Sequence, residues 1–169
     1  MKEFIRTIPD YPVQGVNFYD LNSLFAGPKF NDAIYDLVQK TQELFDTPTH
    51  IVGIESRGFV VGSAMANSFG LPFVMVRKKG AKHPGELMEQ SYTLEYGEAT
   101  LTLQTGLLGH TDRCIIVDDL VATGGSVEAT ERLIEQTGAK ALGVSTIMDL
   151  YYVRGKDISM PMAYLERIQ

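Results

Sequence analysis

The chain has 169 residues and 44% hydrophobic side chains, which suits one folded domain over residues 1–169 and excludes a disordered chain. A formal net charge of −6 argues against a nucleic-acid partner, whose binding surface needs the opposite sign. No apolar run approaches the roughly 18 residues of a membrane span, and no basic-then-apolar leader opens the chain. Cys114 is the sole cysteine, so no intrachain disulfide forms and a reducing, cytoplasmic setting is expected.

In chain order, Thr7 to Pro28 is rich in Pro, Gly and Asn and reads as irregular structure. Lys29 to Phe45 carries apolar residues at Phe30, Ala33, Ile34, Leu37, Val38 and Leu44, a helical stripe. His50 to Ile54 reads as a buried strand. Gly58 to Phe69 reads as a helix whose small residues (Gly62, Ser63, Ala64, Ala66) let it lie close to a sheet. Phe73 to Val76 is a further short strand. Residues 77–104 open on a cationic cluster, Arg77, Lys78, Lys79 and Lys82 with His83 beside them. That cluster is either a solvated loop or the docking loop of a small polyanion. Ser91 to Glu95 and Ala99 to Leu103 flank Tyr96-Gly97-Glu98, the pattern of a hairpin, here read as a projecting two-stranded arm behind a mobile loop. Cys114 to Val117 is a strand and Gly125 to Gln136 a helix, closed by Gly138 as its C′ residue. Ala141 to Met148 is another buried strand, and Met162 to Ile168 an edge strand.

Strand and helix alternate, which implies an α/β fold: a parallel twisted sheet, wound by right-handed crossovers and flanked by helices. Ligands of such sheets bind at the carboxyl ends of the strands. Two turns lie there, Glu55-Ser56-Arg57-Gly58 and Thr123-Gly124-Gly125-Ser126. The second follows the string Cys114-Ile-Ile-Val-Asp118-Asp119-Leu-Val-Ala122. Its glycines let backbone N–H groups face an anion, Thr123 and Ser126 add hydroxyls, and a helix N-terminus stands behind. The paired Asp sit where the hydroxyls of a phosphorylated sugar need acceptors. A plain strand–turn–helix, with an Asp capping the helix, is the other reading of the same residues. Neither a Walker A string nor a Gly-x-Gly-x-x-Gly after a strand is present.

Apolar residues, Asp118-Asp119 and then Thr123-Gly-Gly-Ser126 resemble the motif with which type I phosphoribosyltransferases bind 5-phosphoribosyl 1-diphosphate (PRPP). Asp10-Tyr-Pro12 with Gly15-Val-Asn-Phe-Tyr-Asp20 is similar to the N-terminal hood of the adenine-specific members, here residues 1–28. Gly53-Ile-Glu-Ser-Arg-Gly-Phe59 resembles their diphosphate loop. Val76-Arg-Lys-Lys-Gly80 and Tyr92-Thr-Leu-Glu-Tyr-Gly97 resemble their flexible catalytic loop. The matches run in family order from about Ile8 to Ile147, and the last twenty residues match weakly.

The resemblance implies that adenine and PRPP give AMP and diphosphate in purine salvage, with Mg2+ held mainly through PRPP, in a homodimer. It implies that Ser56, Arg57, Arg77 and Lys78 bind the diphosphate, with Lys79 and Lys82 supplied by the loop. Ala122, Thr123, Gly124, Gly125 and Ser126 would grip the 5′-phosphate. Asp118 and Asp119 would hold the ribose hydroxyls and stabilise positive charge on the ring, while Arg57 serves the reacting centre. Glu95, with Tyr96 beside it, would handle the proton of the base; by spacing alone a Glu before a hairpin turn is solvated. The segment from Lys78 to Tyr92 would close during turnover and exclude water. Val16, Asn17, Phe18 and Tyr19 would meet the base, the backbone at Asn17 reading the purine edge. Tyr19 departs from the family, which has Arg there. It stacks on the base, shifts the base preference, or simply packs. Rival readings are a transferase for hypoxanthine, guanine or xanthine, and a non-catalytic PRPP-sensing protein.

Overall fold

The computed structural model describes residues 1–93 and 97–169. Its main sheet has seven strands: β3 (His50–Ile54), β4 (Phe73–Lys78), β5 (Leu87–Thr93), β6 (Glu98–Gln104), β7 (Arg113–Val121), β8 (Lys140–Leu150) and β9 (Met162–Ile168), in the order β5-β6-β4-β3-β7-β8-β9. The five strands from β4 to β9 run parallel. The hairpin β5–β6 joins antiparallel to β4 through Arg77↔Thr102.

The central strands are unbroken apolar runs because both sheet faces are covered. Alternation sends Ile51, Ile115 and Val117 to one face, under helices α2 (Phe30–Leu44) and α3 (Arg57–Phe69), with Leu37, Val61 and Met65. It sends Val52, Cys114 and Ile116 to the other face, under helix α4 (Gly125–Gln136), with Leu133 and Ile134. Burial pushes the Cys114 thiol up to about 12, so this cysteine is core. Small residues bring α3 onto the sheet: a Cβ at Gly53 or Gly62 would stand 2.6 or 2.7 Å from the Phe73 ring, which fills the space between them.

Three segments differ from expectation. Strands β1 (Arg6–Pro9) and β2 (Asn17–Asp20) form a separate antiparallel pair where irregular structure was expected. Each has only four residues, too few to display a period. An ion pair between Arg6 and Asp20, opposite each other in the register, ties them together. Helix α1 (Asn22–Phe25) follows and buries Leu24. The segment expected to move from Lys78 to Tyr92 is strand from Leu87 onward, which leaves 79–86 as loop. Met88 and Tyr92 share a strand face and pack on the core under α4, and Gln136 of α4 donates to Gln90 at 3.2 Å. The hairpin therefore extends the sheet edge and is braced by α4 instead of projecting freely, with Leu101 and Leu103 fully buried. Strand β7 runs on through Asp118 and Asp119 to Val121, because β8 continues the ladder through Asp118↔Thr146 and Val121↔Asp149.

Candidate active site

The carboxyl ends of β3, β4 and β7 open into a cleft of about 400 Å3. Its lining includes Ser56 and Arg57 from the turn after β3, Lys78 from β4, Asp118 and Asp119 from β7, and Ser126 from the first turn of α4. These come from four separate stretches of the sequence.

One cation stands beside the two carboxylates, in contact with Asp119. Asp118 Oδ1 accepts a hydrogen bond from the Asp119 N–H at 2.9 Å. Asp119, only 3% exposed, has its Oδ2 2.9 Å from Arg57 Nε. That contact lacks hydrogen-bond alignment, so this buried oxygen has no hydrogen-bond partner among the described residues. Burial, and then the neighbouring Asp119 charge, push the Asp118 carboxyl well above its ordinary range. Burial also raises Asp119, against the opposing pull of Arg57. The ligand-free pair thus favours holding a proton, whereas hydroxyl donors and positive charge on a ligand favour the ionised form.

Apolar groups form another part of the lining. Phe18, which lies 5.1 Å from the Tyr11 ring, and Leu120 both face the cleft. The Arg57 guanidinium carbon lies 5.8 Å from the centre of the Phe18 ring. Of the four residues expected at the base, only Phe18 lines this space. Val16, Asn17 and Tyr19 line a second cavity of about 570 Å3, with Tyr152 and Val153. Within β2, strand alternation separates Phe18 on one side from Asn17 and Tyr19 on the other. Tyr19 is 8% exposed and belongs to the core under α2 and α3. The packing reading of Tyr19 is thus the one the geometry favours. Tyr19→Phe is expected to change base preference by less than about threefold, while Tyr19→Ala loses roughly 3–5 kcal/mol of stability, as large-to-small core changes do. Rates with each purine base, beside denaturant titration, check both.

Where β3 and β4 end at the cleft, Glu55 is a residue that the sequence did not single out as functional. Burial pushes its carboxyl up, but hydrogen bonds from the Lys78 N–H at 2.8 Å and Arg77 Nη2 at 3.2 Å win and hold it below its ordinary range. Arg77 Nη1 donates to the Lys82 carbonyl at 3.0 Å, which ties the 79–86 loop to the end of β4. Lys82 is exposed and Lys79 pairs with Glu89 at 2.6 Å, so neither lysine lines the cleft. Glu95 and Tyr96 lie outside the described residues.

The Thr123–Ser126 turn is held from two sides. Gly124 has φ +88°, a left-handed conformation that glycine tolerates best, and a Cβ there would also stand 2.9 Å from Ile158 Cγ2. A Cβ on Gly125 would stand 2.9 Å from Tyr92 Cδ2. Behind the turn, α4 presents N–H groups without helical acceptors and the positive end of its dipole. Ser126 opens to the main cleft. Thr123 and Gly125 line an adjoining one of about 380 Å3, bordered by Tyr92 and Lys156. Ile54, Glu55, Tyr92 and Leu120 line the main cleft but were not among the site residues expected from sequence. Position offers one signal: Leu120 follows the Asp pair directly, and Glu55 ends an apolar strand next to Ser56-Arg57.

Residues 20–158 match the family model described as the phosphoribosyl transferase domain. The adenine phosphoribosyltransferase of Synechococcus sp. is 41% identical over 95% of this chain and 91% of its own length. That of Carboxydothermus hydrogenoformans is 43% identical over 92% and 91%. Among solved structures, the adenine phosphoribosyltransferase of Thermoanaerobacter pseudethanolicus superposes with a TM-score of 0.91 at 33% identity, covering 99% of this chain and 97% of that one. The Saccharomyces cerevisiae enzyme, complexed with adenine and an imino-altritol bisphosphate, gives 0.86 at 35% identity, covering 97% and 95%.

Proposed function

Because the chain belongs to the phosphoribosyltransferase family, we propose that the cleft transfers the 5-phosphoribosyl group of PRPP to adenine, forming AMP and diphosphate in purine salvage. One observation carries the reading: the Asp118–Asp119 pair, with Asp119 buried against Arg57, stands near the carboxyl end of β7, two strand residues ahead of the phosphate turn. In this reaction the bond from ribose C1 to the diphosphate oxygen breaks and a bond from C1 to N9 of the base forms. Positive charge builds on the sugar ring in between. Two carboxylates beside the ring stabilise that charge and accept from the 2′ and 3′ hydroxyls. Asp119 Oδ2, ion-paired with Arg57 but without a hydrogen-bond donor among the described residues, supplies one such acceptor. Ser56, Arg57, Arg77 and Lys78 meet the leaving diphosphate, and residues 122–126 hold the 5′-phosphate. Phe18 and Leu120 suit a flat heterocycle. Glu95 takes the base proton on the strength of the family resemblance alone.

The same reading includes Mg2+. This ion keeps several waters and uses one or two carboxylates together with substrate phosphate oxygens, a demand that Asp118 and Asp119 fit. When bound, it offsets charge on the departing diphosphate. A homodimer and a cytoplasmic setting belong to the reading as well; sedimentation checks the first.

Incubation with PRPP, Mg2+ and each purine base in turn tests the whole. AMP is expected as the dominant nucleotide. IMP, GMP or XMP in its place transfers the reading to another base, and the absence of any nucleotide leaves a PRPP-binding protein without catalysis.

A further inference from the structure

We propose that Arg154, which lies outside the cleft, is a positioning residue for the 5′-phosphate: from behind the turn it orients the Thr123 amide toward the anion. The proposal rests on the transferase reading above. Arg154 ends helix α5 (Tyr151–Arg154), a single turn that follows β8. Its side chain is 3% exposed. Nη1 donates to the Ala122 carbonyl at 3.1 Å, and the same nitrogen lies 2.7 Å from Asp149 Oδ1.

Asp149 is fully buried and is the register partner of Val121, the last residue before the turn. Its other oxygen accepts from Arg167 Nε at 2.6 Å. Arg167 in turn reaches the exposed Asp157 at 3.1 Å and stacks 4.5 Å from the Tyr164 ring. Two guanidinium groups thus converge on one carboxylate beneath the phosphate turn.

The peptide geometry turns this into an orienting device. The Ala122–Thr123 bond is not among the cis peptides, and in a trans peptide the C=O and the next N–H point in opposite directions. With the Ala122 carbonyl fastened to Arg154, the Thr123 N–H points away from that guanidinium. A rigid guanidinium holds a carbonyl direction better than a flexible ammonium does. Stability alone does not account for the arrangement. Arg154 Nε and Nη2 are buried without partners among the described residues, and an apolar side chain of similar volume avoids that cost. A cation set behind an anion-binding turn does account for it.

The experiment measures inhibition by ribose 5-phosphate and by diphosphate, which engage opposite ends of the cleft, together with the KM for PRPP. In Arg154→Gln, ribose 5-phosphate should weaken and the KM for PRPP rise by about tenfold, the value of one hydrogen bond to a charged group. Diphosphate inhibition should stay within about twofold of wild type, a difference too small to count as a lost contact. Arg154→Lys should recover part of the loss. The double variant Asp149→Leu/Arg154→Met removes both charges together, and in folded form should still lose ribose 5-phosphate selectively. Equal weakening of both inhibitors, or no weakening in a folded variant, overturns the proposal. Wild-type protein that binds neither inhibitor overturns the transferase reading itself, a different outcome.

Discussion

Asp118→Asn is expected to lower turnover by about 10²–10³-fold, the usual cost of removing one electrostatic contact to a transition state, and to raise the melting temperature of the ligand-free protein. Both effects have one cause. The carboxyl is held near the end of a buried strand with Asp119 beside it, and burial and that neighbour push it well above the ordinary carboxylate range. A group raised on folding contributes stability that is fully present below its unfolded pKa and lost as pH rises through its folded value. As pH rises above about 4 the wild-type protein loses that stability, while the Asn variant never had it to lose. The variant's thermal advantage should grow as pH rises above about 4, then level off above the raised pKa, at roughly 2–4 °C for each kcal/mol recovered. Asp20, held low by Arg6, and Glu55, held low by Lys78 and Arg77, give the opposite slope. Their stability is present above about 4 and lost as pH falls through their folded values. They are unchanged in the variant and cancel in the difference. Calorimetry of both proteins from pH 4 to 8, beside initial rates, reads the two effects. Parallel stability curves would mean that the carboxyl is not disfavoured where it stands.

The same contrast between local signal and long-range cause separates what was legible in the sequence from what was not. Strand β3, helix α4 and strand β9 lie where periodicity and turn residues put them. An apolar run ended by Glu55, a Gly-Gly opening and a Gly138 stop are local signals. Strands β1 and β2 are held by Arg6 and Asp20, fourteen residues apart, and nothing near either strand announces the other. Strand β5 alternates polar residues with Met88 and Tyr92, and its pattern makes sense only once α4 lies against it. At the site, the residue types were legible because the Asp pair and the glycine turn are contiguous. Directions were not. Whether Phe18 or Tyr19 faces the cleft depends on the register of a four-residue strand, and one step exchanges them. Arg154 carried no signal, since its contact with Ala122 joins segments thirty-two residues apart.

Gly58→Ala should remove most activity by moving a helix rather than by deleting a functional group. Gly58 lies in the first turn of α3, one residue after Arg57, and is buried against the end of β7. A Cβ there would stand 2.9 Å from the Val117 carbonyl oxygen, 2.9 Å from Asp118 Oδ1 and 3.2 Å from Asp118 Cα. Two of those three atoms belong to backbone in the middle of the sheet, which does not yield. Alanine is the better helix former by about 0.5–1 kcal/mol, but overpacking costs about 1–3 kcal/mol, so a net loss of stability is expected. The start of α3 must then lift from β7 and carry Arg57 away from Asp119. Misplacement of a reacting group by about 1 Å is enough to cost 10²-fold in rate, so a fall in kcat/KM of that order is expected. Gly62→Ala supplies the control. Its Cβ would meet the Phe73 ring at 2.7 Å, an overpacking on the same helix more than a turn away from the Asp pair. It should lose comparable stability and keep kcat within about twofold, as a repacked site away from the chemistry does. If the two variants instead lose activity in the same proportion as stability, the first turn of α3 is packing alone and Arg57 owes its place to something else.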